Sequence, residues 1–407
     1  MSQSRIGLLH PQLGYGGSER VTLSIAEALQ EEHDVSLITT RTHNERVDLD
    51  RLNSFCDTAV DAGKVTVIEA PLPDFLRTNF AALRGSVFAK FSRRLAPQFD
   101  LMFSTYGAMD FGVRGIQLIH DPLFNHELHR RLTPFPKGPR GWFYRDSLLR
   151  KAYLGFSRRL AGSSEEGVRK NLTLVSSEWT GRIVRDFYGV ETLTVYPPVA
   201  GKFPEMAWSN REDGFVCVGR WSIEKRMERA VRILGEVRKR GAEIHLHLIG
   251  SGGDPRFVGS LRHLCRENRE WVFMEEGTDS QAKTHLMTRH KYGISGRENE
   301  PFGIAVAEMV KAGCIVFVPN GGGQTEIVNH PMLIFNDEEG AVRKIEAVLS
   351  SGSLQDDLRE HLAARAQEFS TEKFTSTIRE LVIEFLKKKQ GISEPGSESP
   401  EVPFLAS

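Results

Sequence analysis

Two glutamates, Glu300 and Glu308, flank a Pro-Phe-Gly turn in the stretch ENEPFGIAVAEMVKAG. Pro301 suits the first helical position, because its missing N–H would have had no intrahelical partner. Gly313 suits the stop, so a helix is expected from about Pro301. At ~100° per residue the second carboxylate returns to within roughly 80° of the first, and both can border one cleft. The helix mouth offers unpaired N–H groups and a positive dipole end to an anion. The stretch therefore reads as a socket for a ligand that is negatively charged and carries hydroxyls. A glycosidase also uses two carboxylates, but two glutamates on one helix cannot straddle an anomeric carbon.

Other residues could serve the same ligand. In VGRWSIEKRMERA, Arg220 closes an apolar run and Lys225 follows before a helix. Such a pair can neutralise a diphosphate, Arg as a fork and Lys as a point charge; loop cations can equally be solvated. Gly14-Tyr15-Gly16-Gly17-Ser18-Glu19 and Gly250-Ser251-Gly252-Gly253 each follow an apolar run. Glycines there let a backbone approach phosphate, or simply make a turn. The first loop is not GxGxxG, and the next strand ends in Thr39-Thr40-Arg41 without an acid for a ribose, which argues against NAD. His120, before Asp121-Pro122, ends the run GIQLIH, where its ring could meet a sugar hydroxyl or be structural. His126 and His129 lack an evident third ligand, so no metal site is expected. Asp48-Leu49-Asp50 has the Asp-x-Asp form but no apolar strand leads into it, and it reads as a polar loop.

Elements of the right kind surround these residues. RIGLLHP, HDVSLITT, KVTVIEA, DLMFST, GIQLIH and LTLVSS read as strands, with RVTLSIAEALQEE and EWTGRIVRDFYG as helices. After a Pro- and Gly-containing linker near residues 197–213 the alternation resumes from GFVCVGR to CIVFVPN. Short apolar strands alternating with amphipathic helices indicate doubly wound parallel sheets, whose ligands bind at the carboxyl ends of the strands. The 407 residues suit two domains. Lys plus Arg and Asp plus Glu number 53 each, so no global field draws nucleic acid. The four cysteines, Cys56, Cys217, Cys265 and Cys314, make no CxxC pair and suit a reducing compartment. No run of about 18 apolar residues is present, and the start lacks a signal-peptide core, so a cytoplasmic protein is expected. Asn171-Leu172-Thr173 matches a glycosylation acceptor, read as accidental in that setting.

Taken in order, GGSERV, IQLIHDP, VSSEWT with YPPV, VGRWSIEKR, LIGSGG, ENEPFGIAVAE and GGGQTEIV resemble the landmarks of family 4 retaining glycosyltransferases with the GT-B fold. The resemblance runs over about residues 5–385, and the Glu300–Glu308 element is somewhat similar to dolichol-linked mannosyltransferases. Departures are modest, Glu308-Met309-Val310-Lys311 for Glu-Ala-Met-Ala and Ser176-Ser177 for Asn-Ser. The resemblance implies an α/β protein of two Rossmann-like domains facing across a cleft: 1–200 for the acceptor, 201–370 for the donor and a helix over 371–389 crossing back; the polar, proline-broken stretch 390–407 reads as a disordered tail. It implies that Arg220 and Lys225, beside Gly219, grip the donor diphosphate, and that Gly16, Gly17 and Gly250 approach it. Glu308 would hold the nucleotide ribose. Glu300 and the N–H groups of Phe302, Gly303 and Ile304 would line the donor sugar, with His120 meeting it from the other domain. Glu326 would approach the nucleotide or cap the next helix. Arg220, Lys225, Glu300 and His120 are the catalytic candidates, with no metal and no cofactor.

The implied reaction is retaining transfer of a hexose from a nucleotide diphosphate sugar, GDP-mannose weakly preferred and a UDP-hexose admitted, to a sugar or lipid-linked acceptor. An epimerase or phosphorylase on the same fold, or a nucleotide-sugar-binding protein without turnover, are the alternatives. Residues 130–159 gather nine Lys and Arg residues against the single acid Asp146, interleaved with aromatics. That segment could rest peripherally on an anionic membrane face or be a solvated surface packed on the core.

Overall fold

The computed structural model describes residues 3–14, 16–41, 46–73, 75–76, 80–122 and 148–391. His126, His129, Asp146, most of the basic 130–159 stretch and the tail beyond 391 lie outside the described residues. The amino-terminal unit contains strands Arg5–Leu9 (β1), Asp34–Thr40 (β2), Val65–Ala70 (β3), Leu101–Ser104 (β4), Ile116–Ile119 (β5), Leu172–Val175 (β6) and Leu193–Thr194 (β7). Its helices are Gly17–Leu29 (α1), Leu49–Cys56 (α2), Ala81–Leu95 (α3), Leu148–Ala161 (α4), Glu165–Arg169 (α5) and Glu178–Tyr188 (α6). The strand order is β3-β2-β1-β4-β5-β6-β7, every pair parallel. Helices cover both faces of such a sheet, so its strands are apolar almost throughout; Ile6, Leu8, Leu101, Phe103, Ile116, Leu118 and Leu174 are all buried.

The second unit repeats the plan with strands Glu212–Val218 (β8), His245–Gly250 (β9), Val272–Glu276 (β10), His290–Ile294 (β11), Ile315–Pro319 (β12) and Ile334–Phe335 (β13). Helices Met227–Lys239 (α7), Pro255–Glu267 (α8), Ser280–Arg289 (α9), Ile304–Lys311 (α10), Gln324–Val328 (α11), Glu338–Leu349 (α12) and Gly352–Gln367 (α13) surround it, and Thr371–Lys389 (α14) ends the described chain. Its order, β10-β9-β8-β11-β12-β13, is again wholly parallel. Each sheet reverses its winding once, between β1 and β4 and between β8 and β11. Those reversals open the crevices where ligands of doubly wound sheets bind.

Helix α14 returns to the first unit. Phe374, Ile378, Val382, Phe385 and Leu386 join the same buried cluster as Ile6, Leu8 and Val21, and Arg379 donates to the Ala28 carbonyl at the end of α1, 2.8 Å away. The two chain crossings between the units lie side by side, because the Val199 N–H donates to the Phe369 carbonyl over 3.0 Å.

Two local expectations change, at the Pro-Phe-Gly turn and at Asp48. The Pro-Phe-Gly helix begins at Ile304, not Pro301: Glu300 pairs with Gly322 as an isolated parallel bridge, so the backbone there is extended. Gly303, at φ +106°, then turns the chain into the helix, a conformation open to glycine and strained for other residues. Helical phase consequently does not relate Glu300 to Glu308. Asp48 is no loop residue but the N-cap of α2, its carboxylate accepting the Arg51 N–H at 3.0 Å. Asn171 is buried and structural, bonding Gly115 N–H and the Met109 carbonyl. All four cysteines are buried thiols, and among the described residues no helix is long and apolar enough to cross a membrane.

Candidate active site

The start of α10 gathers the charged residues. Below it, Glu300 is 12% exposed and accepts Lys225 at 2.6 Å and Arg297 at 3.2 Å. Burial pushes its carboxyl upward, but the charges of Lys225 and Arg297 outweigh that and hold it below the ordinary range. Lys225 closes the turn after β8 and, with Glu300 and Gly303, lines a narrow cavity beneath the helix mouth. Arg220 stands exposed at the carboxyl end of β8. With the helix starting at Ile304, the N–H groups of Ile304, Ala305 and Val306 precede the first intrahelical bond, Ala307 N–H to the Gly303 carbonyl, and point toward that mouth. Phe302 is buried against Tyr196 and Phe369 and anchors the turn.

Glu308 lies one turn inward and is tied to the opposite unit. Its Oε1 accepts Arg20 of α1 at 2.8 Å and Lys283 of α9 at 2.9 Å, with the Arg20 and Glu308 side chains 9% and 6% exposed. Burial again raises the carboxyl, and Lys283 and Arg20 together pull it below its ordinary value. Among the described residues both donors use Oε1. The glycine turn from the first unit closes on the same place. A Cβ on Gly17 would lie 2.6 Å from Ile304 Cδ1, so Gly17 lets α1 approach the mouth of α10. Gly16 caps α1, and the Glu19 carboxylate folds back to accept the Gly14 N–H at 3.2 Å and the Ser18 hydroxyl at 2.7 Å.

Glu326 answers an open expectation in a third way. It does not cap its own helix; its two oxygens accept the N–H groups of Glu178 and Trp179, at 2.9 and 2.8 Å, capping α6 of the other unit. Tyr196 adds its hydroxyl at 3.1 Å. Burial leads the forces that raise the Glu326 carboxyl, against these hydrogen bonds. Ser177 and Thr180 of the same turn both donate to the Pro301 carbonyl. A seam of hydrogen bonds thus joins α6 to the α10 turn.

His120 follows β5 directly, and burial pulls its pKa down to about 4, so the ring is neutral near pH 7. His10, at the end of β1, is likewise held at about 4 by burial and lies near enough to depress His120 further. Among the described residues none hydrogen-bonds His120 Nε2. The two neutral rings stand at the carboxyl ends of β1 and β5, on either side of β4. Gly219 and Gly250 have a packing reason as well: a Cβ on Gly250 would fall 1.9 Å from the Gly219 carbonyl oxygen, so the two loops touch backbone to backbone.

Sequence reasoning missed Arg20, Lys283, Arg297 and His10. Arg20 sits inside the GGSERV motif, which is the only signal that could have marked it. The structure brings Gly17, Lys225, Glu300, Gly303, Ile304 and Glu308 around one helix mouth, with Gly16 next to Gly17 and with Arg220, Gly219 and Gly250 at the carboxyl ends of β8 and β9.

Residues 202–369 match the family model described as glycosyl transferases group 1. The GDP-Man:Man(3)GlcNAc(2)-PP-Dol alpha-1,2-mannosyltransferase of Dictyostelium discoideum is 28% identical over 186 residues, 40% of this chain and 37% of that protein. The human alpha-1,3/1,6-mannosyltransferase ALG2 is 24% identical over 93% of this chain and 95% of its own. Among solved structures, sucrose-phosphate synthase from Thermosynechococcus elongatus superposes with a TM-score of 0.71 at 15% identity, covering 95% of this chain and all of that one. Anabaena HepE, solved with UDP and glucose, gives 0.65 at 14% identity over 94% of this chain and 100% of that chain.

Proposed function

We propose that this chain, a group 1 glycosyltransferase with the GT-B fold, moves a hexose from a nucleotide diphosphate sugar to an acceptor hydroxyl with retention of the anomeric configuration. The observation that carries this reading is the convergence at the α10 mouth of Gly17 from one unit with Lys225, Glu300 and Glu308 from the other. A diphosphate placed there meets the helix N–H groups, with Lys225 and Arg220 as counter-charges. Glu300 is already held by two cations, so it can accept a sugar hydroxyl while Lys225 turns toward the leaving phosphate. Glu308 Oε2 is the oxygen we assign to the nucleotide ribose.

As the glycosidic bond lengthens, negative charge grows on the diphosphate, and the cations and helix mouth stabilise it without reorganising. The acceptor hydroxyl enters on the face the diphosphate leaves and gives its proton to the departing phosphate oxygen. The chain's own cations supply the charge this step needs, and we assign it no catalytic metal. Neutral His120 reaches the sugar as a hydrogen-bond partner rather than as a cation. Gly16, Gly250 and Gly219 let backbone approach the phosphates, and Phe302 fixes the turn.

Both relatives are named mannosyltransferases, and the one named for GDP-Man and a PP-Dol glycan favours GDP-mannose and a prenyl-diphosphate acceptor. Helix α4 keeps Lys151, Phe156 and Arg159 exposed, a surface suited to peripheral contact with anionic lipid. The test supplies GDP-mannose or UDP-glucose with a prenyl-diphosphate glycan in anionic vesicles, reads the product anomer by NMR, and follows co-sedimentation with the vesicles. An α-linked product from an α-linked donor is expected from one of the two. A β-linked product removes retention, turnover with neither donor removes the transferase reading, and absence from the pelleted vesicles removes the membrane contact.

A further inference from the structure

At the amino end of the second sheet, away from the α10 mouth, β8, β9 and β11 begin with Glu212, His245 and His290, and His247 follows on β9. One ring nitrogen from each of the three histidines lies within 4.8 Å of the others. We propose that His245, His247, His290 and Glu212 form a closed four-ligand site for a divalent transition cation of the zinc class.

The distances fit such an ion. His245 Nε2 and His290 Nε2 are 3.0 Å apart, and Glu212 Oε2 is 3.3 and 3.5 Å from them. A tetrahedral zinc with bonds of about 2.0–2.1 Å holds its ligands about 3.3 Å apart, so these three atoms already outline one face of the tetrahedron. His247, with a ring nitrogen within 4.8 Å of those of the other two histidines, would supply the fourth corner.

The outer contacts orient the rings in the way metal-bound histidines are oriented. His290 Nδ1–H donates to the Leu286 carbonyl oxygen at 2.6 Å, which leaves the Nε2 lone pair facing the cluster. His247 Nδ1 meets Glu275 Oε1 at 2.8 Å, leaving Nε2 as the nitrogen available to a cation. Arg289 binds the other Glu212 oxygen, Oε1, and fixes the carboxylate. Phe273 stacks on His247 with ring centres 4.9 Å apart. Room for the rings is built into the backbone: a Cβ on Gly214 would lie 2.3 Å from His245 Nε2 and 2.7 Å from His290 Cδ2. The ion would pin the amino ends of three central strands. In its absence His245 simply donates an Nε2–H to His290.

The test uses the untagged full chain, stripped with chelator and titrated with zinc or cobalt. One zinc per chain, the intense visible absorption of tetrahedral cobalt and a zinc-dependent rise in Tm are expected. His245→Asn should abolish stoichiometric binding, and Glu275→Gln should weaken it about 10- to 100-fold through loss of the outer contact. Neither substitution touches the transferase site, so sugar transfer by both variants should match the parent, and this separates the two readings. No stoichiometric zinc in the parent chain, or unchanged affinity in both variants, overturns the proposal. His290 is fully buried, so the test does not depend on it.

Discussion

Lys225 is the residue on which the proposed chemistry turns. Its ammonium bridges a buried carboxylate and the narrow cavity beneath the α10 mouth, so in the proposed mechanism Lys225→Ala removes a transition-state charge and leaves Glu300 short of a partner. Turnover is expected to fall roughly 100- to 1000-fold, mainly in kcat, while Tm moves far less; steady-state kinetics beside calorimetry checks this, and near-normal kcat would remove Lys225 from the diphosphate. Individual residues were unevenly legible. Glu300 and Glu308 could be read from the charges around a proline-glycine turn, and Lys225 from its place after Arg220 and before a helix. Arg20 did not, since a cation on a helix looks like any solvated one until its partner, 288 positions away, is placed against it.

At the level of elements, the strands and helices follow from apolar runs that alternate with amphipathic ones, and the parallel, doubly wound character of both sheets was readable in this way. Turn geometry was not. The bridge between Glu300 and Gly322, which delays α10 to Ile304, depends on a strand-end loop two elements away. The histidine cluster hid for the same reason. His245 and His247 alternate onto one face of β9, but Glu212 and His290 arrive from β8 and β11, neighbours that only the sheet order supplies. The contact of the β8 and β9 loops yields a prediction of its own. Gly250→Ala drives a methyl against the Gly219 carbonyl; overpacking of this kind costs about 1–3 kcal/mol. A lowered Tm with a raised donor KM is expected, and a variant with the parent's Tm and KM would show that the loops do not touch in solution.

For the molecule as a whole, the Arg20–Glu308–Lys283 cluster and the Glu326 cap make the relation between the units depend on charge. Breaking a buried ion pair by removing one partner costs roughly 3–5 kcal/mol. Glu308 and Glu300 both have folded carboxyls held below the ordinary value of 4.5. For such groups the stabilisation is complete above the unfolded value and is lost as pH falls through the folded one. Small-angle scattering from pH 7 to pH 3 should therefore show constant dimensions down to about 4.5 and an opening below it. Glu308→Gln should be more open already at pH 7 and show a smaller acid step; identical curves for the two proteins would remove the cluster as the clasp.

The hydrogen bond between Val199 and Phe369 has a consequence for descent and for engineering. Because the chain leaves the first unit and re-enters it at one spot, residues 200–369 form a cassette whose two cuts are neighbours, 3.0 Å apart across that bond. Exchanging the cassette between relatives needs two joins in one place and leaves α14 at home on α1. Lineages can thus redraw what the second unit binds while the surface of the first is inherited unchanged.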